Sequence, residues 1–313
     1  MITTKKKYVI YTAIVGNYDD IPVYSVTDER FDYILYSDSI SAGKVGIWDV
    51  RPIPYTSESK SKTSRWAKMH PEELLQEYEA SLWLDACVTI KSSYVYERFI
   101  SLLESSCLIS TNPNPDVICV YQEMCSMMYL HWEREDVIIE WGRFLRKEQY
   151  PRWLGSYECW MIFRKHNNQA IKMLDSKWWW CLDSYARRDQ FSFPYLLWKF
   201  NIEAIPFLPS GIDIRHNEYL DWNQHANVGK KVVEGKACHL IRYYRKHVDE
   251  RVKIENILYW IYGRRHPYFW LNTIGLFLRA KHVVLRCFGK KNNTDYLAEV
   301  ERMREQNFGT KKK

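Results

Sequence analysis

The 313-residue chain is 46% hydrophobic, which excludes a disordered chain and supplies apolar surface for one large α/β domain or a domain with an appendage. Its 45 Lys and Arg against 38 Asp and Glu leave +7, unevenly placed: residues 230–313 carry +12 and residues 1–229 carry −5, so a basic module follows a mildly acidic body. Eight cysteines with no C-x-x-C pair, mostly inside apolar runs, exclude a disulfide framework and read as reduced core residues.

From the N-terminus, Met1-Ile-Thr-Thr-Lys-Lys-Lys7 leads into a run too short for the apolar segment of a signal peptide, so the chain is expected in the cytoplasm. Tyr8-Val-Ile-Tyr-Thr-Ala-Ile-Val15 has the unbroken apolar character of a buried strand, closed by Gly16-Asn17-Tyr18-Asp19-Asp20, residues that tolerate unusual backbone angles. Phe31–Asp38 is a second strand ending on an acid, and Gly46–Val50 a short third before Pro52 and Pro54. Ser57–Tyr78 reads as one helix, with Arg65 and Lys68 three apart and so on one face. Two cations aimed inward suit a diphosphate; a solvated basic face is the plainer alternative.

In Ser81–Ile90 an apolar run holds one acid, Asp85. A carboxylate there costs several kcal/mol to desolvate, so either the strand ends at Asp85 beside a ligand or an Arg or Lys pairs with it. Strands ending on Asp38 and Asp85 place two acids where parallel sheets bind ligands, beyond their carboxyl ends. Tyr94–Ser105 reads as helix, Cys107–Ser110 as strand and Val117–His131 as helix, with Glu123 a lone acid among apolar neighbours. Gly155–Phe163 reads as a strand ending before Arg164, and Gln169–Trp180 as a helix. Asp189 then opens a helix with apolar positions Phe193, Leu196, Leu197 and Phe200, where it is either an N-terminal anion or, with Gln190 and Arg187 or Arg188, part of a substrate pocket. Ile202–Pro206 is a strand, and the next loop collects Asp213, Arg215, His216 and His225, with His239 beyond it; these histidines are metal-ligand candidates without an H-x-x-x-H or H-E-x-x-H spacing.

With 16% aromatic residues, the chain is suited to stacking on sugars or bases, or to lying on a membrane. Beyond residue 247 the longest charge-free run, His266–Leu278, is 13 residues, short of the roughly 20 a membrane-spanning helix needs. Trp260, Phe269, Trp270, Phe277 and Leu278 interleave with Arg264, Arg265, Arg279, Lys281 and Arg286, which suits a helix lying in an anionic membrane surface or one packed on the body. No nucleic-acid motif accompanies this basic tail, and no nucleic-acid partner is expected.

These segments resemble a glycosyltransferase-like family, once a domain of unknown function and later named after plant turgor-regulation and mucilage proteins. The resemblance runs through Tyr11-Thr-Ala-Ile-Val-Gly-Asn-Tyr-Asp19, Tyr33-Ile-Leu-Tyr-Ser-Asp38, Arg65 with Lys68, Leu82-Trp-Leu-Asp-Ala86 and Arg188-Asp-Gln-Phe-Ser-Phe193, in order over roughly residues 8–245. It implies a GT-A-like open mixed α/β sheet flanked by helices over residues 1–247, with a C-terminal basic helical extension over 248–313. It further implies transfer of a sugar from a nucleotide sugar, guessed as UDP-linked, to a glycan or lipid-linked acceptor in capsule or O-antigen synthesis at the inner face of the plasma membrane. Gly16, Asn17, Tyr18 and Asp38 would border the base and ribose, Arg65 and Lys68 the diphosphate, and Arg188 and Gln190 the sugar. Asp189 and Asp85 would be catalytic, Asp189 as base or sugar-orienting group. Where GT-A enzymes carry Asp-x-Asp the second place is Cys87, so a divalent Mn or Mg ion would rest on Asp85 with His216 or His239. The incomplete motif leaves a second expectation, a non-catalytic carbohydrate- or lipid-binding protein on the same fold.

Overall fold

The computed structural model describes residues 8–130, 132–185, 188–213, 215–223, 225, 239–246 and 250–287. The chain divides into two compact units, Met1–Pro113 with Tyr157–Lys230, and Asn114–Ser156 with Lys231–Lys313.

The first unit is built on a mixed sheet of eight strands: β1 (Tyr8–Ile14), β2 (Phe31–Ser37), β3 (Gly43–Val45), β4 (Trp48–Pro52), β5 (Ala80–Leu84), β7 (Ile109–Pro113), β8 (Tyr157–Arg164) and β9 (Ala204–Ile205), in the order β3-β4-β2-β1-β5-β8-β7-β9. Strands β4, β2, β1 and β5 run parallel, so they end along one edge; β8 runs antiparallel to β5 and brings its first residues to that edge. The expected third strand proves to be an antiparallel hairpin, β3 with β4, turning at Gly46. A two-stranded sheet pairs β6 (Val88–Ile90) with β10 (Leu220–Trp222) just beyond the end of β5.

Strand alternation sorts the core into two layers. Ile10, Ile14, Leu35, Leu82, Leu84 and Phe163 join one cluster with Val95, Tyr96, Phe99 and Leu102 of α3 (Tyr94–Glu104). On the other layer Tyr11 meets Trp83 edge to face at 5.1 Å, and its hydroxyl donates to the Lys68 carbonyl at 3.2 Å. Here the expected single helix over Ser57–Tyr78 breaks into α1 (Lys60–Met69) and α2 (Pro71–Leu74). Pro71 disfavours helical angles at the residue before it, and His70 accordingly leaves the helix at φ −126, ψ 44. α6 (Gln169–Ser184) and α7 (Asp189–Phe200) complete the unit.

The polar run that begins at the end of the strand expected over Gly155–Phe163 is buried at Arg164 and His166. Arg164 is the last residue of β8, and both it and His166 are 0% exposed. The His166 ring donates from Nε2 to the Leu75 carbonyl at 2.9 Å and accepts at Nδ1 from the Ser81 hydroxyl at 3.0 Å. Burial, with Arg164 adding to it, lowers its pKa to about 4. The unfolded chain, with a histidine pKa of about 6.5, therefore binds a proton the native chain refuses, and the contribution is complete above that pH. It is lost as pH falls towards about 4, a linkage of about 3 kcal/mol. Glu72, pushed up to about 7 by burial, titrates in the opposite sense, so the informative quantity is a difference. Urea midpoints at pH 7 and pH 5 are expected to fall less in His166→Gln than in the parent; equal falls would remove His166 as the cause.

The second unit is helical: α4 (Val120–Leu130), α5 (Glu135–Lys147), α8 (His239–Lys246), α9 (Arg251–Tyr262) and α10 (Pro267–Cys287). α8 precedes the boundary expected at residue 247 and packs on α10, where a Cβ at Gly275 would lie 2.2 Å from the Leu240 backbone nitrogen. That backbone approach admits only glycine. Among the described residues no helix is long and apolar enough to cross a membrane. The cysteine expectation holds where it is visible: Cys87, Cys107, Cys119, Cys125, Cys159 and Cys181 are buried and free. Cys238 lies outside the described residues, as do the Cys287 side chain and everything from residue 288 onward.

Candidate functional site

Two of the expected acids converge on one ammonium. α1 presents Lys68 at the carboxyl-end edge of the sheet, where Nζ stands 2.6 Å from Asp189 Oδ2 and 3.6 Å from Asp85 Oδ1. Of the two alternatives posed for Asp85, the pairing with a lysine is the one seen: the strand ends at Leu84, and Lys68 stands beside the acid. The Asp85 amide donates to the Trp160 carbonyl at 2.8 Å and the Trp83 indole N–H to Asp85 Oδ1 at 2.7 Å, which fixes the turn and one oxygen. Asp189 sits at the first residue of α7, its carbonyl receiving the Trp178 indole N–H at 3.0 Å.

The two acids differ in exposure. The Asp189 side chain is 10% exposed and that of Asp85 40%, while the Lys68 side chain between them is 3% exposed. Burial alone would push the Asp189 carboxyl up, but Lys68 and then Arg65 hold it well below the usual carboxylate range. Burial likewise opposes the Lys68 charge, and Asp189 followed by Asp85 outweighs it, so the ammonium is held above its usual range. Both effects say the same thing: the pair is locked in its ionised form. A carboxylate so held is a poor proton acceptor, which separates Asp189 from the base role expected for it and leaves Asp85 as the acid open to solvent.

Arg65 shares the face of Lys68, as the spacing required. Its Nε is 3.8 Å from Asp189 Oδ1, too far for a hydrogen bond, and that buried N–H has no acceptor among the described residues. Arg188 stands just before α7 and donates to the Gln190 side-chain oxygen, and the Gln190 amide donates to Glu158 Oε2 at 3.2 Å. Arg215 donates to Glu158 Oε1 at 3.0 Å. Glu158 was not singled out from sequence; it is 5% exposed and is followed in its strand by the apolar run Cys159–Phe163, and that mismatch was the available signal. Arg187 lies outside the described residues.

The loop after β1 leaves the sheet at the same edge. Gly16 adopts φ +63 and Asn17 φ +55, which turns the chain so that the Gly16 amide reaches Asp38 Oδ1 at 2.7 Å and the Asn17 amide the Ser39 hydroxyl at 3.2 Å. A Cβ at Gly16 would meet the Lys60 ammonium at 2.2 Å. Tyr18 lies against the His225 ring at 4.7 Å, and His225 pairs with Asp19 at 2.8 Å. Burial raises the Tyr18 phenol pKa, Asp19 and Cys87 add to it and Arg65 opposes, so this loop shares an electrostatic neighbourhood with the Asp85 turn.

The two histidines expected as metal ligands each have another partner. His216 is held by Asp213 at 3.1 Å with its side chain 85% exposed, and His239 is in α8 of the other unit, with the Arg279 guanidinium 3.0 Å from its Nδ1. No group of three or more His, Cys, Asp or Glu suited to a metal occurs among the described residues. The donors at Asp85 disagree with one as well: Lys68 and the Trp83 N–H already occupy its Oδ1 side, and the buried Cys87 thiol is held protonated by burial and by Asp85.

A mixed α/β sheet with acids, cations and a glycine turn gathered at its carboxyl-end edge is the architecture of a protein that binds ligands beyond its strand ends. The chain belongs to the TOD1/MUCI70 glycosyltransferase-like domain family, whose model matches residues 4–209, in agreement with the resemblance carried by its motifs. Among solved structures it is similar to one described as a WbbM bifunctional glycosyltransferase in its apo form, with a TM-score of 0.38 and 11% identity, covering 66% of this chain. The match covers 39% of that chain, so this protein spans well under half its length. No curated protein matches.

Proposed function

We propose that the protein transfers a sugar from a nucleoside-diphosphate sugar to a hydroxyl of a glycan or lipid-linked acceptor, at the edge of the sheet where Asp85 stands. The observation that carries this reading is Lys68 Nζ held between Asp189 and Asp85 beside the unsatisfied Arg65 Nε, because sugar transfer needs a fixed cation for the departing diphosphate and a carboxylate for the acceptor proton. Arg65, its side chain 26% exposed, takes the diphosphate; Lys68 lends charge from behind. Asp85 receives the acceptor proton, and Asp189 holds Lys68 in place. The Gly16–Tyr18 loop and Asp38 border the nucleoside. Arg65 and Lys68 supply positive charge without a protein-held metal. Release of nucleoside diphosphate from a panel of nucleotide sugars, with and without added glycans, tests the reading. Turnover by the purified chain supports it, and release from no donor tried in the presence of acceptor opposes it.

The reading extends to surface-polysaccharide synthesis, in a cytoplasmic protein lying on the inner face of the membrane. Support comes from α10, where Phe269, Leu276, Phe277, Val283 and Val284 are exposed at heptad-like spacing, with Arg279 and Lys281 exposed beside them. Apolar groups flanked by cations complement an anionic lipid surface. Flotation with phosphatidylglycerol vesicles is expected to carry the protein, and Phe269→Ser with Phe277→Ser to lower the bound fraction severalfold. Equal flotation of that variant, or none of the parent, would remove the membrane from the account.

Cys87 motivates a second reading, binding of carbohydrate without catalysis. Calorimetry that detects glycan but no nucleotide or nucleotide sugar would favour it.

A further inference from the structure

β10 does more than complete a two-stranded sheet. Trp222 pairs with Val88, three residues past Asp85, and the Asn223 amide donates to the Cys87 carbonyl at 2.7 Å, so the β10 segment is tied to the turn that presents the exposed acid. Beside it opens a cleft of about 600 Å³ lined by Lys91, Arg215, His216, Asn217, Asp221 and Trp222. Cavities of roughly 300–1,000 Å³ hold ligands the size of a disaccharide.

The chemistry of the lining selects the ligand. Trp222 is 39% exposed and braced at 4.9 Å by the buried Trp160 ring, whose own carbonyl holds the Asp85 amide, so it is a fixed aromatic platform and not a loose surface residue. Each basic side chain of the cleft has a carboxylate partner: Lys91 with Asp221 at 2.9 Å, Arg215 with Glu158 at 3.0 Å, His216 with Asp213 at 3.1 Å. The wall is therefore close to neutral and offers donors and acceptors side by side, which matches the mixed hydroxyls of a sugar and not the phosphates of a nucleotide. Through Glu158 and Gln190 the same wall runs on to Asp189.

We propose that this cleft binds an uncharged pyranose ring of the acceptor glycan, stacked on Trp222, an inference that rests on the transferase reading for the word acceptor. The site is read without any donor. Saturation-transfer NMR with methyl glycosides of glucose, galactose, mannose and rhamnose, on the full chain, is expected to show ring-proton contact for at least one of them. The dissociation constant is expected to rise at least tenfold in Trp222→Ala and severalfold in Lys91→Gln, with circular dichroism confirming that both variants fold. Binding by none of the glycosides, or undiminished binding in both folded variants, overturns the proposal. The two readings fail separately. Glycoside binding that needs Trp222 in a protein that consumes no nucleotide sugar keeps the cleft as a sugar site and removes the transferase. Donor consumption with no glycoside bound removes the cleft alone.

Discussion

Replacing Asp189 with Ala is expected to lower both stability and turnover, whereas Asp85→Asn lowers turnover alone. Lys68, 2% exposed, would be left with only Asp85 at 3.6 Å, and stripping one partner from a buried ion pair costs about 3–5 kcal/mol. Urea unfolding followed by circular dichroism reads that loss. Asp85, its side chain 40% exposed, has water as an alternative partner, so Asp85→Asn is expected to change stability by less than about 1 kcal/mol. Its effect falls on chemistry: loss of a positioned proton acceptor lowers turnover by about 10²–10⁴-fold, read as nucleoside diphosphate released per minute. The dissociation between the two variants is the point. If Asp85→Asn destabilises as much as Asp189→Ala, the exposed acid is part of the scaffold; if it turns over normally, another group takes the proton.

How much of this was legible in the chain depends on whether burial or periodicity carried the signal. β1 and β2 stand where their unbroken apolar runs placed them, and the acid-ended strand at Asp85 and the Arg65–Lys68 face followed from spacing alone. α5, which the sequence reading lacks, has an amphipathic pattern that is equally legible, with Ile138, Ile139, Trp141, Gly142 and Leu145 buried on one side. Pro71 marked the break in the first helix. What the sequence withheld was which charges go inside. Arg164 and His166 look like solvated polar groups in the chain; their burial is decided by partners at Asp175 and Leu75, which no local pattern reveals. Glu158 and the Trp222 segment were missed for the same reason, since a carboxylate or an indole gains its role only when β8 and β10 bring it to the edge of the sheet.

The second large effect is expected behind the site, at Arg164. Its guanidinium donates to Asp175 Oδ1 at 2.7 Å, to the Tyr11 hydroxyl at 2.9 Å and to the Lys68 carbonyl at 2.5 Å, so one buried cation ties β8, β1, α6 and the last turn of α1 together. Arg164→Met leaves Asp175, 0% exposed, without its counter-charge and is expected to cost about 3–5 kcal/mol. Yet the pair is incompletely satisfied: Arg164 Nε and Asp175 Oδ2 find no partner among the described residues, so its desolvation is only partly recovered. Replacing both, Arg164→Met with Asp175→Leu, is therefore expected to restore most of the lost stability, because hydrocarbon in place of a whole buried pair is often neutral or better. Turnover is expected to behave differently. The double variant still lacks the guanidinium, which leaves only the Tyr11 hydroxyl at 3.2 Å to hold the Lys68 carbonyl, so the ammonium between Asp85 and Asp189 is less firmly placed, and nucleoside diphosphate release stays low while the denaturation midpoint recovers. A double variant as unstable as the single one would show that the charge pair is not what Arg164 supplies, and one with full turnover would show that Lys68 is positioned from its own helix alone.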